Sequence, residues 1–167
     1  FCLATLRRRR TLPGMVAPVV TPGFAGHLEL ALPRPETTRA ELEKLCAAAR
    51  AAQVAAVVIS GCRVELARTL LEDSTVQVCA AIGFPHGTAD ADVKRYEIEA
   101  ALDAGAQEFD VVFNHGWLKD GEDRRLEREL RDLIEAADER PVKFILEPGL
   151  LTREELRRGV LLVRKAE

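Results

Sequence analysis

The sequence predicts an α/β fold built on a parallel sheet. Two observations carry this. Short apolar runs alternate with amphipathic helical segments from residue 37 onward, and the runs start near residues 55, 76, 107 and 141. Their spacings of 21, 31 and 34 residues leave room for a helix between successive strands, as right-handed βαβ crossovers require. A doubly wound open sheet and part of a β/α barrel both satisfy the pattern.

The first regular helix opens at a capping box, Thr38-Arg39-Ala40-Glu41, and Leu42, Leu45, Cys46 and Ala49 follow at i, i+3, i+4 and i+7. Residues 55–60 (AAVVIS) form a short strand, and a helix follows near 63–72. Residues 76–82 (VQVCAAI) are the next strand. A helix near 89–104 stops at Gly105, where a left-handed residue ends helices readily. The run QEFDVVFN at 107–114 has strand composition. A helix near 122–138 gathers Leu126, Leu130, Leu133, Ile134 and Ala137 on one face. Its charge-rich start, EDRRLERELRD, reads as a solvated face. PVKFILE at 141–147 is a strand, and a second capping box at Thr152-Arg153-Glu154-Glu155 opens the last helix.

Residues 1–28 differ. They hold Arg7 to Arg10, no acid, and Pro13, Pro18 and Pro22, which break helices. We expect a disordered or non-native leader over 1–27 ahead of one domain over 28–167. A transit peptide, or read-through upstream of Met15, are the other readings.

Composition limits the function classes. Hydrophobic residues at 47% support one core in 167 residues. A net charge of −3 provides no field to attract nucleic acid or anionic lipid, so neither is an expected partner. No apolar run approaches the roughly 20 residues of a membrane span. Cys2, Cys46, Cys62 and Cys79 form no CxxC pair, which suits reduced thiols and a cytoplasmic location. There is no G-x-G-x-x-G after the first strand and no GxxxxGK[ST], which argues against dinucleotides and P-loop nucleotides. There is also no G-x-S-x-G, and Ser60 and Ser74 are the only serines.

The two strands at 107–114 and 141–147 carry the chemistry. Side chains alternate faces along a strand. Phe109, Val111 and Phe113 share one face, as do Val142, Phe144 and Leu146, and these faces belong under helices. The opposite faces hold Asp110, Val112 and Asn114 on one strand and Lys143, Ile145 and Glu147 on the other. Desolvating an unpaired charge costs several kcal/mol, so Asp110 and Lys143 must be paired or wetted. A buried acid beside a buried lysine suits a proton relay or an activated amine; a structural ion pair is the plain alternative. Gly83-Phe84-Pro85-His86-Gly87 and Asn114-His115-Gly116 follow strand ends, where such folds bind ligands. His86, His115, Asp110 and Glu147 lack the spacing of a metal motif, and no metal or cofactor is expected.

These same residues resemble deoxyribose-phosphate aldolase. The resemblance rests on IGFPHG at 82–87, the Lys94 and Glu97 pair, DAGAQEFDVVFN at 103–114, the turn GWLKDG at 116–121 and VKFILEPGLLTREEL at 142–156. ETTRAELEKLCAAAR at 36–50 is similar to the family's first helix. The resemblance implies a (β/α)8 TIM barrel that cleaves 2-deoxy-D-ribose 5-phosphate to D-glyceraldehyde 3-phosphate and acetaldehyde in deoxyribonucleotide catabolism. It implies a Schiff-base mechanism without metal and a sugar-phosphate substrate; the sequence leaves open whether the chain forms a homo-oligomer. Asp110 then falls on the family's proton-shuttling aspartate. Lys143 falls on a lysine close to the site that is not the imine-forming one. Ser60 and Asn114 fall at strand ends on the substrate side.

With a weak first strand near 28–33, the chain accounts for about five of eight βα units, a partial barrel. The family's Schiff-base lysine lies on the strand after the last helix here, and the chain ends at Glu167. We therefore expect these residues alone to be inactive. The family's first strand falls on Glu29-Leu30-Ala31, where Pro33 disfavours a central strand. A non-catalytic half-barrel that binds a partner, and another Schiff-base sugar-phosphate aldolase, are the alternatives.

Overall fold

A computed structural model describes residues 24–166, and most of the expected leader lies outside them. Residues Phe24–His27 form one turn of 3-10 helix. Five strands follow: β1 (Glu29–Ala31), β2 (Ala56–Ser60), β3 (Gln77–Ile82), β4 (Glu108–Val112) and β5 (Val142–Ile145). The helices are α1 (Arg39–Ala52), α2 (Val64–Leu70), α3 (Ala91–Asp103), α4 (His115–Asp120), α5 (Asp123–Ala136) and α6 (Arg153–Ala166). The strands pair in parallel in chain order, β1-β2-β3-β4-β5. No reversal of strand order occurs, so the doubly wound alternative falls away and the half-barrel stands. No helix among the described residues is long and apolar enough to cross a membrane.

Local chemistry sets the element ends. Both capping boxes form: Thr38 N–H donates to Glu41 Oε2 at 2.8 Å, and Thr152 N–H donates to Glu155 Oε2 at 2.7 Å. β1 stops before Pro33, so it keeps its ladder with β2 free of proline. GWLKDG, expected as a turn, belongs instead to the short helix α4. Asn114 caps it by accepting the Trp117 N–H at 3.2 Å, and left-handed Gly121 closes it.

The sheet has two different faces. Val57, Ile59, Val78, Ala80, Ile82, Phe109, Val111 and Phe144 face the helices and join the main core with Leu42, Ile98, Leu126, Leu130 and Leu133. Burying a side chain of this size contributes about 1.5–3 kcal/mol. The other face carries Ala56, Val58, Cys79 and Ala81, with Phe84 packed on them. That second face curls. Lys143 Nζ on β5 lies 2.6 Å from Glu29 Oε1 on β1, although three strands separate them. In a flat sheet with strands about 4.8 Å apart, the two edges would stand about 19 Å apart, beyond a lysine's reach. The five strands thus form a half-barrel with the second face concave.

One expectation for the helix layer fails. Glu129 on α5 is not solvated: it is buried against Lys94 at 2.9 Å. Arg125 stays exposed as expected, with its guanidinium stacked 3.8 Å over the Trp117 ring.

Candidate active site

Strand register builds the site. Asp110 on β4 stands opposite Lys143 on β5, and opposite Ala81 on β3, which pairs in turn with Ser60 on β2. These side chains form one layer across the concave face. Lys143 Nζ lies 2.9 Å from Asp110 Oδ1. The expected pairing of these two residues is therefore present. The lysine side chain is 3% exposed and that of the aspartate 2%.

Two further acids join them that the sequence reading missed. Glu29 bonds Lys143 at 2.6 Å, and Glu108 stands 3.3 Å from it. Glu108 was legible: it sits two residues before Asp110, on the same face. Glu29 was not, because it lies 114 residues from its partner. Three carboxylates thus converge on the Lys143 ammonium in a buried setting.

Burial and these contacts set the protonation states. Burial pushes the Asp110 carboxyl above its ordinary range; Lys143 opposes this without cancelling it. Burial alone would lower the Lys143 ammonium. The Asp110 carboxylate and the bonds to Glu29 and Asp110 outweigh it and hold Lys143 above the usual lysine range. Cys79, also on the concave face, is held as a neutral thiol, first by burial and then by Asp110. Lys143 is thus held as a cation rather than a free amine, beside an Asp110 carboxyl held above its ordinary range.

Ser60 ends β2 on the same face, half-buried, and its side chain caps no helix. Asn114 leaves β4 at the mouth of the half-barrel, where its Oδ1 is engaged as the α4 cap. His115 is turned away from the layer. It is buried, and its Nε2 meets the Leu146 carbonyl at 3.1 Å, which ties the ends of β4 and β5 together. His86 is exposed. Glu147 follows β5 in a left-handed conformation and leaves the sheet. Among the described residues no group of three His, Cys, Asp or Glu is placed to hold a metal ion.

Comparison with known proteins gives a consistent result. The model for DeoC/LacD family aldolases matches residues 25–159. The deoxyribose-phosphate aldolase of Exiguobacterium sibiricum is 41% identical over 144 residues, which are 86% of this chain and 65% of that one. A structure from Coccidioides immitis assigned to the deoxyribose-phosphate aldolases superposes with a TM-score of 0.82 at 30% identity, over 84% of this chain and 56% of that one. The tetrameric deoxyribose phosphate aldolase of Aeropyrum pernix gives a TM-score of 0.78 at 28% identity, over 85% and 60%. The chain thus spans about two thirds or less of the length of these relatives. A half-barrel of parallel strands, a buried Asp–Lys layer on its concave face and these matches together make the chain a member of the DeoC/LacD family of aldolases.

Proposed function

We propose that this chain carries the proton-handling half of a Schiff-base aldolase acting on 2-deoxy-D-ribose 5-phosphate, with D-glyceraldehyde 3-phosphate and acetaldehyde as products. The observation that carries the reading is the Asp110–Lys143 pair at 2.9 Å on the concave face, with Asp110 raised by burial. In the retro-aldol step a base takes the C3 hydroxyl proton while the C2–C3 electrons flow into a protonated imine. Asp110 is that base, and it returns the proton to the departing two-carbon unit. Lys143 orients Asp110 and keeps the cluster's charge low. Ser60 and Asn114 contact the substrate at the strand ends.

The imine needs an unprotonated amine. Lys143 is held cationic, and Lys94 is bonded to Glu129 and the Val112 carbonyl. Lys44, Lys119 and Lys165 are exposed on helices. We therefore assign the imine lysine to a position outside these five strands and expect little turnover from the 167 residues alone. Cys46 and Cys79 are buried free thiols, which supports a reducing, cytoplasmic setting. The tetrameric relative supports a homo-oligomer. The breadth of the matching family supports a second reading, another Schiff-base sugar-phosphate aldolase.

The test is titration of the 15N-labelled chain with 2-deoxyribose 5-phosphate, with a ketose phosphate in parallel, followed by borohydride trapping and intact mass. The expected result is amide shifts at Ser60 and Asn114 with the deoxyribose phosphate only, and no trapped adduct. Shifts with the ketose phosphate alone would favour the second reading. A borohydride-stable adduct on Lys143 would overturn the assignment of roles.

A further inference from the structure

The Lys94–Glu129 pair is the most buried ion pair described, with side chains 0% and 2% exposed, and it touches none of the concave-face cluster. Burying two charges is costly, and apolar replacements of similar volume are often as stable. Core stability alone is therefore a weak account of it. What the pair touches is more specific. Lys94 Nζ, reaching from α3, also donates to the Val112 carbonyl at 3.1 Å, the last residue of β4. One turn further along the helix, Glu97 accepts the Gly83 N–H at 2.8 Å, the first residue after β3. Two side chains on one face of α3 thus hold the exits of the neighbouring strands β3 and β4.

The loop between these exits is shaped to them. Gly83 has φ +61, and a Cβ there would stand 3.1 Å from Lys94 Cε. Gly87 has φ +69, and a Cβ there would stand 2.3 Å from the Phe113 carbonyl oxygen. Residues 83–87 therefore lie directly on the Lys94 stem and on the backbone leaving β4. Asn114 is the next residue along that backbone, and Asp110 lies two residues before Val112.

We propose that Lys94, locked by Glu129, and Glu97 are positioning residues that fix the β3 and β4 exits and so set the placement of Asn114 and Asp110 at the candidate site. The catalytic importance of that placement rests on the proposed aldolase reading; the placement itself does not.

The test is K94M/E129M, which removes both charges and keeps the side-chain volume close. The measurements are amide hydrogen exchange and the 13C-carboxyl titration of Asp110. The expected result is near-unchanged thermal unfolding, at least tenfold faster exchange over residues 112–117 with α1 and α2 unaffected, and a shifted Asp110 midpoint. A purely structural pair would change unfolding and leave the Asp110 midpoint alone. Unchanged exchange at 112–117 together with an unchanged midpoint would overturn the proposal. If the double variant does not fold, the wild type decides: scalar coupling across the hydrogen bond from Lys94 Nζ to the Val112 carbonyl carbon is expected, and its absence would overturn the proposal. Because neither readout uses a substrate, failure here is distinguishable from failure of the aldolase reading.

Discussion

Replacing Lys143 with Met removes the ammonium on which Glu29, Glu108 and Asp110 converge. In the wild type these carboxylates stand 2.6, 3.3 and 2.9 Å from Nζ, and the lysine side chain is 3% exposed. Removing one partner of a buried pair costs about 3–5 kcal/mol. With a urea slope of about 2 kcal/mol/M, the unfolding midpoint should fall by about 2 M. The loss must also depend on pH. The folded-state pKa of Asp110 is already above its ordinary 3.8, with burial the largest cause and Lys143 opposing it. An acid raised in this way favours the fold when protonated. Its favourable contribution is complete below the unfolded pKa and is lost as pH rises through the folded one. Losing Lys143 raises the folded pKa further. The gap between wild type and K143M should therefore be small near pH 4 and widen toward pH 7. Urea unfolding followed by circular dichroism at both values measures it. A midpoint within about 0.5 M of wild type at pH 7, or a gap that does not change with pH, would refute the reasoning.

Three further outcomes are expected. D110N removes the desolvated carboxylate and leaves Lys143 bonded to Glu29, so urea unfolding should show a smaller loss than K143M, even though the proposed proton shuttle is gone. G87A should destabilise well beyond G121A in the same assay. Both residues have positive φ, which costs a side chain about 1–2 kcal/mol, but a Cβ at Gly87 also meets the Phe113 carbonyl while one at Gly121 meets open space. Burial lowers the His115 pKa, and the Leu146 carbonyl opposes this without reversing it. His115 therefore stabilises the fold above its unfolded value near 6.5 and ceases to as pH falls. Thermal unfolding of H115Q should lack that acid-side decline; an identical pH profile would count against it.

Features that depend only on neighbours along the chain were legible before folding. Thr38 with Glu41 and Thr152 with Glu155 start helices because a cap needs only three residues of spacing. The period of two along EFDVVFN and VKFILE separated Phe109 and Phe144 from Asp110 and Lys143, because a strand has no other way to point its side chains. It also brought Asp110 and Lys143 to the same face, which strand register then made a contact. Tertiary structure decided the rest. The curl of five strands carries Glu29 to Lys143, and no local pattern encodes that curl. Helix packing turned Glu129 inward to Lys94, although a run of alternating charges reads as solvated when its neighbour is unknown. The same packing made Asn114 a helix cap as well as a mouth residue, because the chain must turn sharply from β4 into α4 within the space the helices leave. Electrostatics explains the division. Charges are placed by whichever partner removes them from water, and that partner is set by the fold and not by sequence distance.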